Sequence, residues 1–153
     1  MRQPTHITVS GAPEGFDARL ILDEVAARGP VVHVARDDKR LAAMQAALRF
    51  FAPDMPVLVF PGWDCLPYDR VSPNADISAQ RMATLAALTH GMPERFVLLT
   101  TINAASQRVP ARDLLREAAF SARVGGRVDE SALRNFLVRM GFVQSPTVME
   151  PGD

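Results

Sequence analysis

The amino-acid sequence predicts an α/β fold: a mainly parallel sheet flanked by helices, with a short α+β extension at the C-terminal end. Two observations carry this. Four short apolar runs, at 6–10, 31–35, 56–60 and 96–100, alternate with stretches of helical spacing, the order that builds parallel strands joined by crossover helices. The runs are also nearly continuous in apolar character rather than alternating, as in strands covered on both faces. At 153 residues, 48% hydrophobic and 22% charged, the chain is long enough for one compact domain with a core, and the reading is a single domain over 1–153.

Taken in order, HITVS (His6 to Ser10) reads as a buried strand. From Asp17 to Arg28, Leu20, Ile21 and Val25 lie close to one helical face, and Gly29-Pro30 ends the helix. VVHVA (Val31 to Ala35) is β-branched and nearly all apolar, a second strand. Asp37 is placed to cap a helix on which Leu41, Met44, Leu48 and Phe51 recur at helical spacing. PVLVF (Pro56 to Phe60) is a third strand. After a long loop rich in proline and aspartate, a helix is expected over 77–90 with Met82, Leu85 and Leu88 apolar and Gly91 as its stop. FVLLT (Phe96 to Thr100) is the fourth strand. Beyond it come a short helical piece near 111–118, an alternating edge-strand pattern in FSARV (120–124), and a helix with Leu133, Phe136, Leu137 and Met140 on one face. Gly141 ends that helix and FVQSPTVM (142–149) reads as extended, with Pro146 marking an edge or an exit from the sheet. The ending, SPTVMEPGD, follows an extended apolar stretch without a closing helix, as in a piece of a larger protein or in a naturally short domain with a frayed end.

Composition narrows the function classes. With 17 basic and 17 acidic residues, charge alone supplies no strong attraction to nucleic acid or membrane. The single cysteine, Cys65, excludes an internal disulfide framework. No apolar run approaches the roughly 20 residues that span a bilayer, and MRQPTHITVSG lacks the apolar core of a secretory signal. The expected location is the cytoplasm, without a membrane partner.

The turn SGAPEGFDAR sits where a strand hands over to a helix, the place where many α/β proteins hold a phosphate. The phosphate loop needs G-x-x-x-x-G-K-[ST]: glycines to turn amides inward, a lysine against the charge, a hydroxyl on magnesium. With Gly11 as the first glycine, Phe16, Asp17 and Ala18 occupy the last three positions, and each is the wrong residue. Gly15 supplies the remaining turn glycine. Lysine to aspartate reverses the charge. At a helix start, Asp17 can instead accept from the first free N–H groups, the donors a phosphate would use. An ordinary strand-to-helix turn with an aspartate cap accounts for these residues equally well. The apolar strands end in Ala35, Phe60 and Thr100, none of which can hold magnesium through a carboxylate, so nothing supplies hydrolysis.

The loop FPGWDCLPYDRVSPNADISAQR holds the only tryptophan, Trp63, the only tyrosine, Tyr68, and the only cysteine. A loop at a strand's C-terminal end is where open α/β sheets place ligands. Stacking on nucleic acid is one reading; packing of Trp63, Leu66 and Tyr68 as the loop's own small core is the other, and the favoured one. The run Phe60-Pro61, Trp63-Asp64, Leu66-Pro67-Tyr68-Asp69, Ser72-Pro73 and Ser78 to Arg81 resembles the N-terminal region of bacterial transcription-repair coupling factors. The resemblance covers essentially the whole chain. It implies a RecA-like (P-loop-NTPase-like) fold similar to that of the excision-nuclease subunit UvrB, with decayed nucleotide motifs. It also implies a parent protein that is an ATP-driven DNA translocase, displaces stalled RNA polymerase and recruits nucleotide-excision repair. This segment would then be non-catalytic and without a cofactor, ATP and magnesium belonging to downstream domains. Its partners would be the neighbouring domains, with UvrA met through the adjacent domain, and RNA polymerase and DNA through the full-length protein. An active nucleotide-binding domain, or a DNA-binding one, is the alternative.

The remaining candidates read as structural. Cys65 has no histidine or second cysteine near it in sequence, so an unreactive thiol is expected. His6, His33 and His90 show no metal spacing. Arg108, Arg112, Arg116, Arg123 and Arg127 are interspersed with Asp113 and Glu117, the pattern of a solvated, ion-paired surface rather than a phosphate-binding one.

Overall fold

A computed structural model describes residues 6–66, 70 and 72–145. The chain divides into two compact units, Met1–Val109 and Pro110–Asp153, where the sequence reads one domain with an appended end. Each is described by itself.

The first unit is built on three parallel strands, β1 (Val31–Ala35), β2 (Val57–Phe60) and β3 (Val97–Thr101), in the order β1-β3-β2. The register stacks Val31, Val97 and Val57 in one row and His33, Leu99 and Val59 two residues on. Side chains alternate across a strand, so these rows face one way, and Val34, Thr100 and Phe60 face the other. Helices α1 (Phe16–Arg28) and α2 (Asp38–Phe51) cover the first face. Ala18 and Val25 from α1, and Leu41, Met44 and Leu48 from α2, meet Val59, Val97 and Leu99 in the core. Helix α3 (Ala75–His90) lies against β2 on the Phe60 side, and the short α4 (Ile102–Ser106) follows β3 directly. The path from β1 over β3 to β2 runs through α2 on one face, and the return to β3 runs through α3 on the other. Right-handed crossovers require that change of face.

Local signals explain most of the helix boundaries. Asp37 caps α2 by accepting from the Arg40 amide at 2.8 Å, and Asn74 caps α3 through the Asp76 amide at 2.8 Å. Gly29 and Gly91 follow α1 and α3 with positive φ, a conformation that costs glycine little.

Several expectations are corrected. Residues 6–10 form no strand, and Ile7 and Val9 are exposed; a buried strand needs a ladder partner, and none is supplied in the described part of the sheet. The FSARV segment (120–124) likewise joins no sheet. Helix α3 starts at Ala75, two residues before the expected start, and it buries Arg81 and Thr84 rather than Met82. Phe51 is half exposed at the end of α2. Of the extended stretch 142–149, residues 142–145 carry no regular element and the rest, Pro146 included, lies outside the described residues.

The second unit contains α5 (Arg112–Glu117) and α6 (Glu130–Arg139). Asp129 caps α6 through the Ala132 amide at 3.0 Å, and Phe120 packs on Phe136 with ring centroids 5.5 Å apart. Arg139 reaches back to the Glu117 carbonyl at 3.2 Å. No residue of α6 is fully buried. Among the described residues no helix is long and apolar enough to cross a membrane.

The packing ranks two substitutions. Leu48 is fully buried in the core and Phe50, two residues on, is 80% exposed. Leu48→Ala is expected to lower unfolding stability in a urea titration by about 2–5 kcal/mol, and Phe50→Ala by no more than about 0.5 kcal/mol.

Candidate functional site

The turn before α1 and the Trp63 loop are separate places in the first unit, and each has its own geometry. At the turn, Gly11 and Gly15 both have positive φ, 71° and 84°. Gly15, not Asp17, is the residue that precedes the first helical position, and it supplies no side-chain cap. The helix therefore begins at Phe16, one residue earlier than expected, because a left-handed glycine lets the chain turn into α1 at that point. Asp17 falls within the first helical turn, and its Oδ1 accepts from the Ala18 amide at 3.0 Å. One of the free N–H groups of the helix start is thus occupied by the chain's own carboxylate. Ala18 points into the core with no exposed surface. A hydroxyl at that position would point away from any ligand held at the turn.

A cavity of about 690 Å³ lies between this turn, the end of β1 and the start of α2, lined in part by Gly15, Asp17, His33, Arg36, Asp37 and Arg40. Two of its cations pair with its own acids, Arg36 Nε lying 3.1 Å from Asp37 and Arg40 4.0 Å from Glu14, while Lys39 also lines the cavity. The Arg40 amide and then the Arg36 side chain hold the Asp37 carboxyl below its ordinary value. A polyanion would have to compete with two carboxylates, Asp37 and Glu14, for these two arginines. His33 is half-buried on the core-facing row of β1, and burial pushes its pKa below 6.5 against the pull of Asp17.

The Trp63 loop leaves β2 at its C-terminal end and is fastened by a buried arginine. Arg81 is 1% exposed. Its guanidinium carbon lies 4.1 Å from the Phe60 ring centroid and 4.2 Å from that of Trp63, so it is stacked between two aromatic faces. Nη1 donates to the Pro61 carbonyl and, at 3.0 Å, to Gln107 Oε1. The same Gln107 oxygen accepts the Trp63 amide at 3.3 Å. Nε is buried without a partner, and no carboxylate pairs with the guanidinium among the described residues. Burial lowers its pKa from the usual arginine value. Each ring contributes roughly 0.5–2 kcal/mol, the upper end applying where water is excluded. Asp64 accepts from the Asn74 amide at 3.2 Å, tying the loop to the start of α3.

Of the loop residues singled out from sequence, Trp63, Asp64 and Arg81 come together around the end of β2. Leu66 and Ser72 are exposed, and Pro67, Tyr68 and Asp69 lie outside the described residues. Gln107 was not legible: it is 26 residues from Arg81 with no motif around it. Asn74 was, as an N-cap residue type directly before a helical stretch.

Cys65 is a half-buried free thiol. His90 Nδ1 lies 2.9 Å from the Ala86 carbonyl at the end of α3. Arg116 pairs with Asp113 at 3.6 Å. Among the described residues no group of three or more histidine, cysteine, aspartate or glutamate side chains is placed to hold a metal ion.

No protein-family model matches the chain. Among curated proteins, it is 32% identical over 145 residues to the transcription-repair-coupling factor of Escherichia coli K12, covering 94% of this chain and 12% of that protein. It is 36% identical over 136 residues to the factor of the same description from Myxococcus xanthus, covering 83% and 11%. The protein of that description from Rickettsia bellii is 26% identical over 123 residues, covering 80% and 11%. The chain thus spans about an eighth of the length of the relatives it matches.

The His33 geometry has a pH consequence with a definite sign. The folded pKa lies below the ordinary 6.5, so between the two values the unfolded chain binds more protons, and stability falls as pH drops through that window before levelling off. Urea midpoints compared at about pH 7.5 and about pH 5.5 should show this loss, and His33→Asn should reduce it. Asp17→Asn, which removes the attraction favouring the cation, should steepen it.

Proposed function

Because the chain belongs to the transcription-repair-coupling factors, we propose that it is the non-catalytic, UvrB-homology domain of the N-terminal region of such a factor. The full protein, on this reading, is a cytoplasmic, ATP-dependent DNA translocase that displaces stalled RNA polymerase and recruits nucleotide-excision repair. ATP and magnesium serve its downstream domains. This domain is a platform for neighbouring domains, and UvrA is met by the adjacent one.

The observation that supports a non-catalytic role is the glycine turn before α1. On this reading the turn keeps two glycines of a phosphate loop, Gly11 and Gly15, both with positive φ. Its chemistry has been replaced: Asp17 occupies a helix-start amide, and Ala18 is a core residue where magnesium would need a hydroxyl. Two cations at the cavity, Arg36 and Arg40, are paired with carboxylates from the same walls. Direct DNA stacking by the Trp63 loop is disfavoured because one face of the indole is already covered by Arg81.

Titration of the purified chain with a fluorescent ATP analogue and Mg²⁺ should show no saturable binding in the micromolar range. Asp17→Lys should not create it, since Phe16 and Ala18 remain. Micromolar, Mg²⁺-dependent binding that is lost on mutating Gly15 would overturn the reading in favour of an active nucleotide site.

A further inference from the structure

We propose that Arg81 and Gln107 form a latch that makes the Trp63 loop and the exit from the first unit a single conformational element. The two are far apart in sequence, and one side-chain oxygen joins them. Gln107 Oε1 accepts from Arg81 Nη1 at 3.0 Å and from the Trp63 amide at 3.3 Å. Gln107 stands two residues before Val109, the end of the first unit. Residues 107–111 belong to no helix or strand, and Arg108 and Val109 are exposed. Within this exit the Gln107 amide is the backbone donor that is held, to the Ala104 carbonyl at 3.1 Å. The side chain of Gln107 adds the bonds that tie the exit to the Trp63 loop and to α3.

The energetics make the latch one that can open. A guanidinium buried with Nε unpartnered, and with no carboxylate against it among the described residues, forfeits hydration that the rings and two acceptors only partly restore. Closing is therefore marginal, and such elements are drawn from the low-stability end of a fold. Because both donors share one acceptor, withdrawing Gln107 takes the side-chain acceptor from the Trp63 amide and leaves Arg81 Nη1 with the Pro61 carbonyl alone. Loop and exit then open together or not at all.

The test uses two local reporters in the purified chain. Trp63, the sole tryptophan, reports the loop through acrylamide quenching. Tryptic cleavage after Arg108, followed by mass spectrometry, reports the exit, with cleavage after Arg123 and Arg127 as internal reference. Gln107→Ala, with an unchanged far-ultraviolet circular dichroism spectrum, should raise both quenching and Arg108 cleavage by roughly threefold, leaving the reference sites as they were. Gln107→Glu places a carboxylate where both partners are donors and one is a cation, and should lower both readouts below the parent level. Arg81→Met should behave like Gln107→Ala; if it does not fold, the two Gln107 variants carry the test. Quenching that rises without Arg108 cleavage, or neither readout moving in folded Gln107→Ala, would overturn the latch. So would reference sites accelerating in step with Arg108, which would mark a general loss of stability.

Discussion

The first unit depends on the central strand. β3 pairs with β1 on one edge and β2 on the other, and those two strands do not touch. Four of its five residues, Val97, Leu99, Thr100 and Thr101, are buried. A parallel strand in that position must satisfy its backbone through its neighbours and its side chains through helices on both faces. The helix pairs follow from this: α1 and α2 cover the Val97–Leu99 face, while α3 closes the side of Phe60 and Thr100. The threonines are tolerated because their hydroxyls have partners, Thr100 donating to the Phe60 carbonyl at 2.9 Å and Thr101 accepting the Ala104 amide at 3.3 Å.

The end of β2 repeats that logic. Three successive carbonyls, of Val59, Phe60 and Pro61, each take a side-chain donor, from Thr84, Thr100 and Arg81 respectively. Val59 and Phe60 still pair with Leu99 and Thr100, and the side-chain donors add to the ladder where the edge strand gives way to the loop. Arg81 does more than donate, since its flat guanidinium also fills the gap between Phe60 and Trp63. A lysine has the charge but neither the plane nor the fork, so the position selects arginine for shape as much as for sign. The loop is consequently tied into the unit's own packing at Trp63, whose ring stacks on Arg81.

The turn before α1 combines two left-handed glycines with a carboxylate at the helix start. Bend geometry is a property of two glycines and survives any change in the residues that follow. Anion affinity depends on which atoms face the bend, and here a carboxylate does so while the next side chain turns into the core. The acids and bases around the adjacent cavity then neutralise one another, leaving no net charge to attract a polyanion.

Much of this was determined by sequence alone. Three of four strands and the helices α1, α2, α3 and α6 are set by apolar periodicity and by end signals such as Asp37, Gly29 and Gly91, which act over a few residues. So is the failure of the phosphate loop at Phe16, Asp17 and Ala18, because a motif needs particular atoms at particular spacings. Only the tertiary structure decided that residues 6–10 stay out of the sheet, that α3 buries Arg81 and Thr84 instead of Met82, and that Gln107 meets the Trp63 loop. Each turns on what stands opposite a residue. Periodicity records which face of an element is apolar. It does not record that two aromatic rings and a carbonyl wait across the gap to make a buried cation tolerable.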